Sequence, residues 1–256
     1  MQIKWMAGFA ALALVHGMVW AQSARIGVLP GIDEEVMQQA AQVAAGKGLT
    51  LQIKSYSNAG QLERALVSGE IDGASVPDAP TRAIWQQHSQ RPLRELGTSI
   101  TLPMGLYSRH FASLRQLPVG AKIGIPKEPQ AQSRALVLLQ NYGLIQFRDD
   151  AGLQARIRDI TVNTRHYQLV ALPQAQLWRA LPTLPLVALT GDFAMQRGLF
   201  PARDAIGMED ARSPWEGVLA AASPGDWSAQ WLLAYQSPKV AAFVLQRYQD
   251  SVRRPW

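Results

Sequence analysis

The chain has no cysteine among its 256 residues. That excludes disulfide staples, thiolate metal sites and a cysteine nucleophile, so the fold must rest on an ordinary hydrophobic core. It also leaves no thiol to carry a lipid, so the mature protein is expected to lack a lipid anchor. Histidine is scarce as well. Beyond the N-terminal segment there are only His88, His110 and His166, far apart and each in a polar, loop-like setting. They form no cluster with metal-ligand spacing and no nucleophile–base–orienter set. No dinucleotide Gly-x-Gly-x-x-Gly loop, phosphate-binding Gly-Lys-Ser/Thr loop or Gly-x-Ser-x-Gly elbow is present. The expectation is therefore no catalytic residue, no metal and no cofactor. Lys and Arg number 25 against 19 acidic residues, for a net charge of +6. These basic residues are scattered singly, apart from Arg253-Arg254, and none is interleaved with aromatics as nucleic-acid binding would require.

What is present begins at the N-terminus. Lys4 precedes an apolar stretch from Ala7 to Val15, broken by His16 and Gly17, and the small residues Val19 and Ala21 follow. A positive residue, a short apolar segment and a small-residue site are the grammar of a secretory signal peptide. The stretch is too short to span a bilayer. Cleavage after Ala21 is expected, giving a soluble, monomeric periplasmic protein that starts at Gln22. The alternative is a buried N-terminal helix.

From Arg25 the pattern is strand, helix, strand, helix, strand. Arg25–Leu29 is apolar and closed by Pro30-Gly31. Asp33 caps a helix whose Val36, Met37, Ala40, Ala41 and Ala44 share a face. Residues 49–56 alternate as a half-buried strand does, Leu62, Ala65 and Leu66 mark a second helix, and Ile71–Val76 reads as a strand. A second unit follows, with strands at 122–125, 167–171 and 186–189 and helices at 130–142, 174–181 and from Asp192 to Gly198. Residues 215–221 read as a further strand, and helices at 228–236 and 238–248 finish the chain. Two such units predict an α/β fold of two lobes, each a mostly parallel sheet flanked by helices. A ligand cleft is then expected between them, beyond the C-terminal ends of the strands.

Several segments carry a family likeness. They are Gly27-Val-Leu-Pro-Gly31, Ser68-Gly-Glu-Ile-Asp72, Pro103-Met-Gly-Leu-Tyr-Ser108, Arg134-Ala-Leu-Val-Leu-Leu-Gln140 with Gly143-Leu-Ile145, Asp149-Asp-Ala-Gly-Leu153, Asp159-Ile-Thr161 and Ala234-Tyr-Gln-Ser-Pro238. Each is weak alone, but together and in this order the chain resembles the methionine-binding proteins of bacterial ABC importers, the NlpA/MetQ-type family. The resemblance implies a two-lobed periplasmic-binding-protein fold of the type II class, with lobe 1 at residues 22–105 and 200–256 and lobe 2 at 106–199. It implies a receptor that delivers a small amino acid to permease and ATPase subunits.

The family's pocket is not preserved. Its Asn-Phe-Phe-Gln-His-x-Pro-Tyr run corresponds here to Ala74-Ser-Val-Pro-Asp-Ala-Pro-Thr81, and its Asn-Gly-Asn-Tyr to Thr190-Gly-Asp-Phe193. Two further asparagines correspond to Ala131 and Gly217. Arg134, which the resemblance implies grips a ligand carboxylate, is retained; the other reading of it is a structural ion pair. Asp192 is equally readable as a helix N-cap and Asp78 as a turn residue. The implied ligand-binding set is Arg134, Asp78, Asp192, Thr190, Ser75 and Thr81. The expected ligand is amino-acid-like, with a carboxylate for Arg134 and an amino group for the aspartates, and is not methionine. The alternatives are a methionine receptor with a rearranged pocket, in which Trp215 or Phe193 restores an apolar wall, or a non-transport ligand sensor or interaction protein on the same fold.

Overall fold

The computed structural model describes residues 22–256; the expected signal segment lies outside the described residues. The chain opens with β1 (Gln22–Val28), α1 (Ile32–Ala45), β2 (Leu49–Ser55), α2 (Ala59–Ser68), β3 (Gly73–Val76), α3 (Ala79–His88) and β4 (Arg94–Thr98). It crosses to a second layer with β5 (Gly105–Tyr107), β6 (Lys122–Pro126), α4 (Pro129–Asn141), β7 (Gln146–Phe147), β8 (Ile160–Val162) and β9 (Gln168–Leu172). There follow α5 (Gln174–Ala180), β10 (Leu186–Leu189), α6 (Gly191–Met195), α7 (Pro201–Asp204) and β11 (Gly207–Met208). The chain then returns through β12 (Val218–Ala221), α8 (Asp226–Tyr235) and α9 (Pro238–Tyr248).

Two five-stranded sheets result. The first runs β2-β1-β3-β12-β4 and the second β11-β5-β10-β6-β9. The βαβ units pair in parallel as their patterns predict: β1 with β2 and β3, and β6 with β9 and β10. The strands next to a crossing pair antiparallel: β12 with β3 and β4, and β5 with β10 and β11. Because β11 hydrogen-bonds to β5, the second sheet extends to Met208, past the boundary expected at residue 199. The short β7–β8 ribbon stands apart from both sheets.

Each sheet has its own core. In the first, Ile26, Val28, Val36, Met37, Ala40 and Leu49 pack with Trp231, Tyr235, Val240 and Val244, so the C-terminal helices close over the N-terminal βαβ unit. Trp231 is fully buried, and its indole N–H donates to the Met37 sulfur at 3.2 Å. In the second, Leu106, Ile123, Ile125, Leu136, Leu139 and Leu186 are fully buried together. Burying side chains of this size contributes roughly 1.5–3 kcal/mol each, which is how the chain folds without staples.

Element boundaries depart from the pattern at telling places. The N-cap of α1 is Gly31, whose φ of 95° suits glycine, and Asp33 sits inside the first turn. The strand expected over 215–221 begins only at Val218, since Trp215 and Glu216 belong to the crossing. Helix α3 gave little apolar periodicity, because only Thr81 and Trp85 are buried on it. Strand β4, Arg-Glu-Leu-Gly-Thr, does not alternate, and its pairing with β12 is interrupted by a register shift.

Candidate functional site

A cavity of about 290 Å³ opens between the two sheets. Its walls come from where strands end and helices begin. Leu29 and Pro30 follow β1, Pro77 and Asp78 follow β3, Gln130 lies in the first turn of α4 beyond β6, Gln174 opens α5 beyond β9, and Thr190 follows β10. This is the carboxyl edge of the parallel strands in both layers, where open α/β sheets bind ligands. All six residues singled out from the sequence (Ser75, Asp78, Thr81, Arg134, Thr190 and Asp192) line this one cavity.

Their individual settings differ. Asp78 is buried and is the N-cap of α3, its Oδ1 accepting from the Thr81 amide at 2.7 Å. It is thus a helix cap rather than a turn residue, with Oδ2 left over. Asp192 is not an N-cap: Thr190 holds that position in α6, and Asp192 occupies the first turn with its carboxylate making no hydrogen bond among the described residues. Thr190 donates its hydroxyl to Gln174 Oε1 at 2.7 Å, which ties α5 to α6 at the cavity wall.

Arg134 carries the largest departure. Its Nε and Nη2 donate to the two carboxylate oxygens of Glu209 at 2.6 and 2.5 Å, and Nη2 also donates to the Leu102 carbonyl at 2.9 Å. Both side chains are nearly sealed, 11% and 3% exposed. Burial works to lower the pKa of the guanidinium. Glu209 outweighs it, with smaller help from Asp78 and Asp192, and the pKa is raised. The bidentate face that would grip a ligand carboxylate is therefore held by a carboxylate of the protein itself, and Nη1 is the nitrogen without a partner among the described residues. The arginine nevertheless lines the cavity, with its charge 5.7 Å from the Trp215 ring.

Glu209 also joins the two chain crossings. It accepts from the Met104 amide at 2.8 Å, its own amide donates to the Met104 carbonyl, and Arg253 donates to its carbonyl. Nothing in local sequence could have revealed it, because its partners lie 75 and 105 residues away.

The apolar part of the cavity is Leu29, Ile32, Val76, Ile100, Leu102 and Trp215. Of the two aromatics considered for this wall, Trp215 lines it, whereas Phe193 packs under Arg197 and beside the second-layer core. At Gly217, a Cβ would stand 2.2 Å from the Ile100 carbonyl oxygen, so this backbone excludes an asparagine there. Asp33 and Gln174 are lining residues that the sequence reading did not place in the site.

The sequence profile of the NlpA lipoprotein family matches residues 24–256. Lipoprotein 28 of Escherichia coli strain K12 is 32% identical over 227 residues, covering 86% of this chain and 84% of its own. The D-methionine-binding lipoprotein MetQ of the same strain is 30% identical over 240 residues, covering 91% and 88%. The structure of a nutrient-binding protein from Burkholderia cenocepacia bound to methionine superposes with a TM-score of 0.81 at 30% identity, covering 90% of this chain and 98% of its own.

Proposed function

The chain belongs to the NlpA lipoprotein family, and on that premise we propose that it is the periplasmic solute receptor of an ABC importer, selective for a small polar solute rather than for methionine. It is a binding protein, not an enzyme. The observation that carries the reading is the cavity itself: it lies between two independently cored sheets, at the carboxyl ends of their strands, with polar groups contributed by both. Contacts to both lobes favour the closed form, and that form is what permease and ATPase subunits would read.

The polarity of the lining supports the finer claim. Asp33, Asp78 and Asp192 face the cavity, while Arg134, the one cation lining it among the described residues, is already matched by Glu209. A solute with an amino group answers the aspartates. A solute carboxylate, if present, meets Nη1 of Arg134. Three aromatics of the family pocket are replaced by Ser75, Val76 and Thr81, which removes sulfur–aromatic contacts worth about 0.3–1.5 kcal/mol each.

One observation favours a second reading, a methionine receptor with a rearranged pocket: Trp215, flanked by Ile100 and Leu102, supplies an aromatic apolar wall. Thermal-shift screening separates the two. D- and L-methionine are compared with polar amino acids, short peptides and amines, since a ligand that binds only the folded state raises the melting temperature. The largest shift is expected from a polar, amino-bearing solute. A largest shift from methionine supports the second reading.

Although relatives are named lipoproteins, the 256 residues offer no thiol for acylation.

A further inference from the structure

Gln174 opens α5 just beyond β9, and Thr190 follows β10, with β6 between those two strands in the sheet. The backbone N–H and the hydroxyl of Thr190 both donate to Oε1 of Gln174, at 3.1 and 2.7 Å. A backbone N–H can only donate, so the atom that meets it is the carboxamide oxygen, and the orientation of this amide is settled. The two donors use both lone pairs of that oxygen. What Gln174 has left is its NH2 end, which has no acceptor among the described residues. The side chain is half-buried and lines the cavity. Gln130, the other carboxamide in the wall, is exposed, and no side-chain hydrogen bond fixes it among the described residues.

Resting on the receptor reading above, we propose that Gln174 is a specificity-determining residue. Its amide nitrogen donates to an acceptor oxygen of the solute, so the receptor selects solutes that bring such an oxygen to the second-lobe wall over apolar molecules of the same shape. The amide is held in place before the solute arrives, so little side-chain freedom is lost on binding. Around it the wall offers acceptors: the Thr190 oxygen, whose proton goes to Gln174, and the Asp192 carboxylate. An apolar isostere enclosed against Gln174 leaves the NH2 group without a partner, and that is the condition under which polar sites discriminate strongly. The requirement concerns an acceptor oxygen and holds whatever charge the solute carries.

Gln174→Glu separates the two contacts of this side chain. It keeps an oxygen for the two Thr190 donors and replaces the NH2 group by a second acceptor. Calorimetry on wild type and Gln174→Glu uses two pairs of probes that differ by one acceptor oxygen, L-methionine sulfoxide with L-methionine and O-methyl-L-serine with L-norvaline. Wild type is expected to bind the oxygen-bearing member of each pair about tenfold more tightly, and Gln174→Glu to lose or reverse that preference. The wild-type preferences stand as evidence by themselves if the variant fails to fold, and Gln174→Met then supplies a donor-free side chain of the same length. Equal binding within each pair by wild type, or a preference that Gln174→Glu leaves intact, overturns the role of Gln174. If none of the four probes binds while the broader thermal-shift screen finds another solute, this inference falls and the receptor reading stands. A screen without any hit overturns both.

Discussion

Arg134 and Glu209 form a bidentate ion pair, at 2.6 and 2.5 Å, that fastens the second-layer helix α4 to both chain crossings at once. The arginine also holds the Leu102 carbonyl of the first crossing, and the glutamate holds the Met104 amide. A residue that resemblance assigns to the ligand thus also ties α4 to the segments that cross between the two sheets. Breaking one side of a buried pair strands the other charge. Arg134→Ala and Glu209→Ala should each destabilise the protein by about 3–5 kcal/mol in urea unfolding. Replacing both together, Arg134→Met with Glu209→Leu, should cost clearly less than the sum of the two single changes. Additive losses would mean the pair is not energetically coupled.

Asp78 and Asp192 should separate by stability. Asp78 caps α3 through the Thr81 amide, so Asp78→Ala should cost about 1 kcal/mol, and Asp78→Ser much less. Asp192 makes no capping bond, so Asp192→Ala should shift stability by under about 0.5 kcal/mol. Chemical denaturation of the three variants checks the ranking.

Asp33 should leave a mark on the pH dependence of stability without added solute. Its pKa is raised from 3.8 to about 7 in the folded protein, which therefore holds this proton more tightly than the unfolded chain does. Its contribution is full below pH 4 and is lost as pH rises through 7. Asp33→Asn should thus be more stable than wild type at pH 8, by about 1–3 kcal/mol, and the gap should close toward pH 4. Melting curves across pH 4–8 decide this, and a constant gap would contradict it.

Gly217 lies against the first crossing, with the Ile100 carbonyl oxygen 2.2 Å from where a Cβ would be. Backbone cannot yield as a flexible side chain can. Gly217→Ala should destabilise by about 1–3 kcal/mol, and Gly217→Asn by at least as much, rather than restoring a ligand contact. Thermal unfolding of both variants reads the effect.

The sequence carried the βαβ units well because their strands alternate or run apolar and their helices keep one greasy face, as in β2 and α1. The walls of the cavity were legible through family resemblance rather than strand position: the segments that hold Ser75, Asp78 and Thr190 correspond to pocket segments of the family, and all three residues line the cavity. The sequence did not carry α3, whose inward face is two residues, or the boundary near 199, because β11 is two residues long and is held by pairing with β5. Glu209 was invisible for the reason that makes it effective: it joins segments distant in sequence. Asp33 was visible but read as the cap of α1, because an acid at the start of a helical pattern suits that role; Gly31 holds the cap, and Asp33 instead accepts from the Leu29 amide.

A polar, amino-bearing solute is expected to bind in preference to methionine, through the acids on both sides of the cavity. Competition calorimetry tests it most directly, with L- and D-methionine measured against the best polar solute on wild type, Asp78→Ala and Asp192→Ala. The polar solute should bind wild type at least tenfold more tightly than either methionine, and both substitutions should erode that preference. Tight methionine binding that survives both substitutions intact would contradict it.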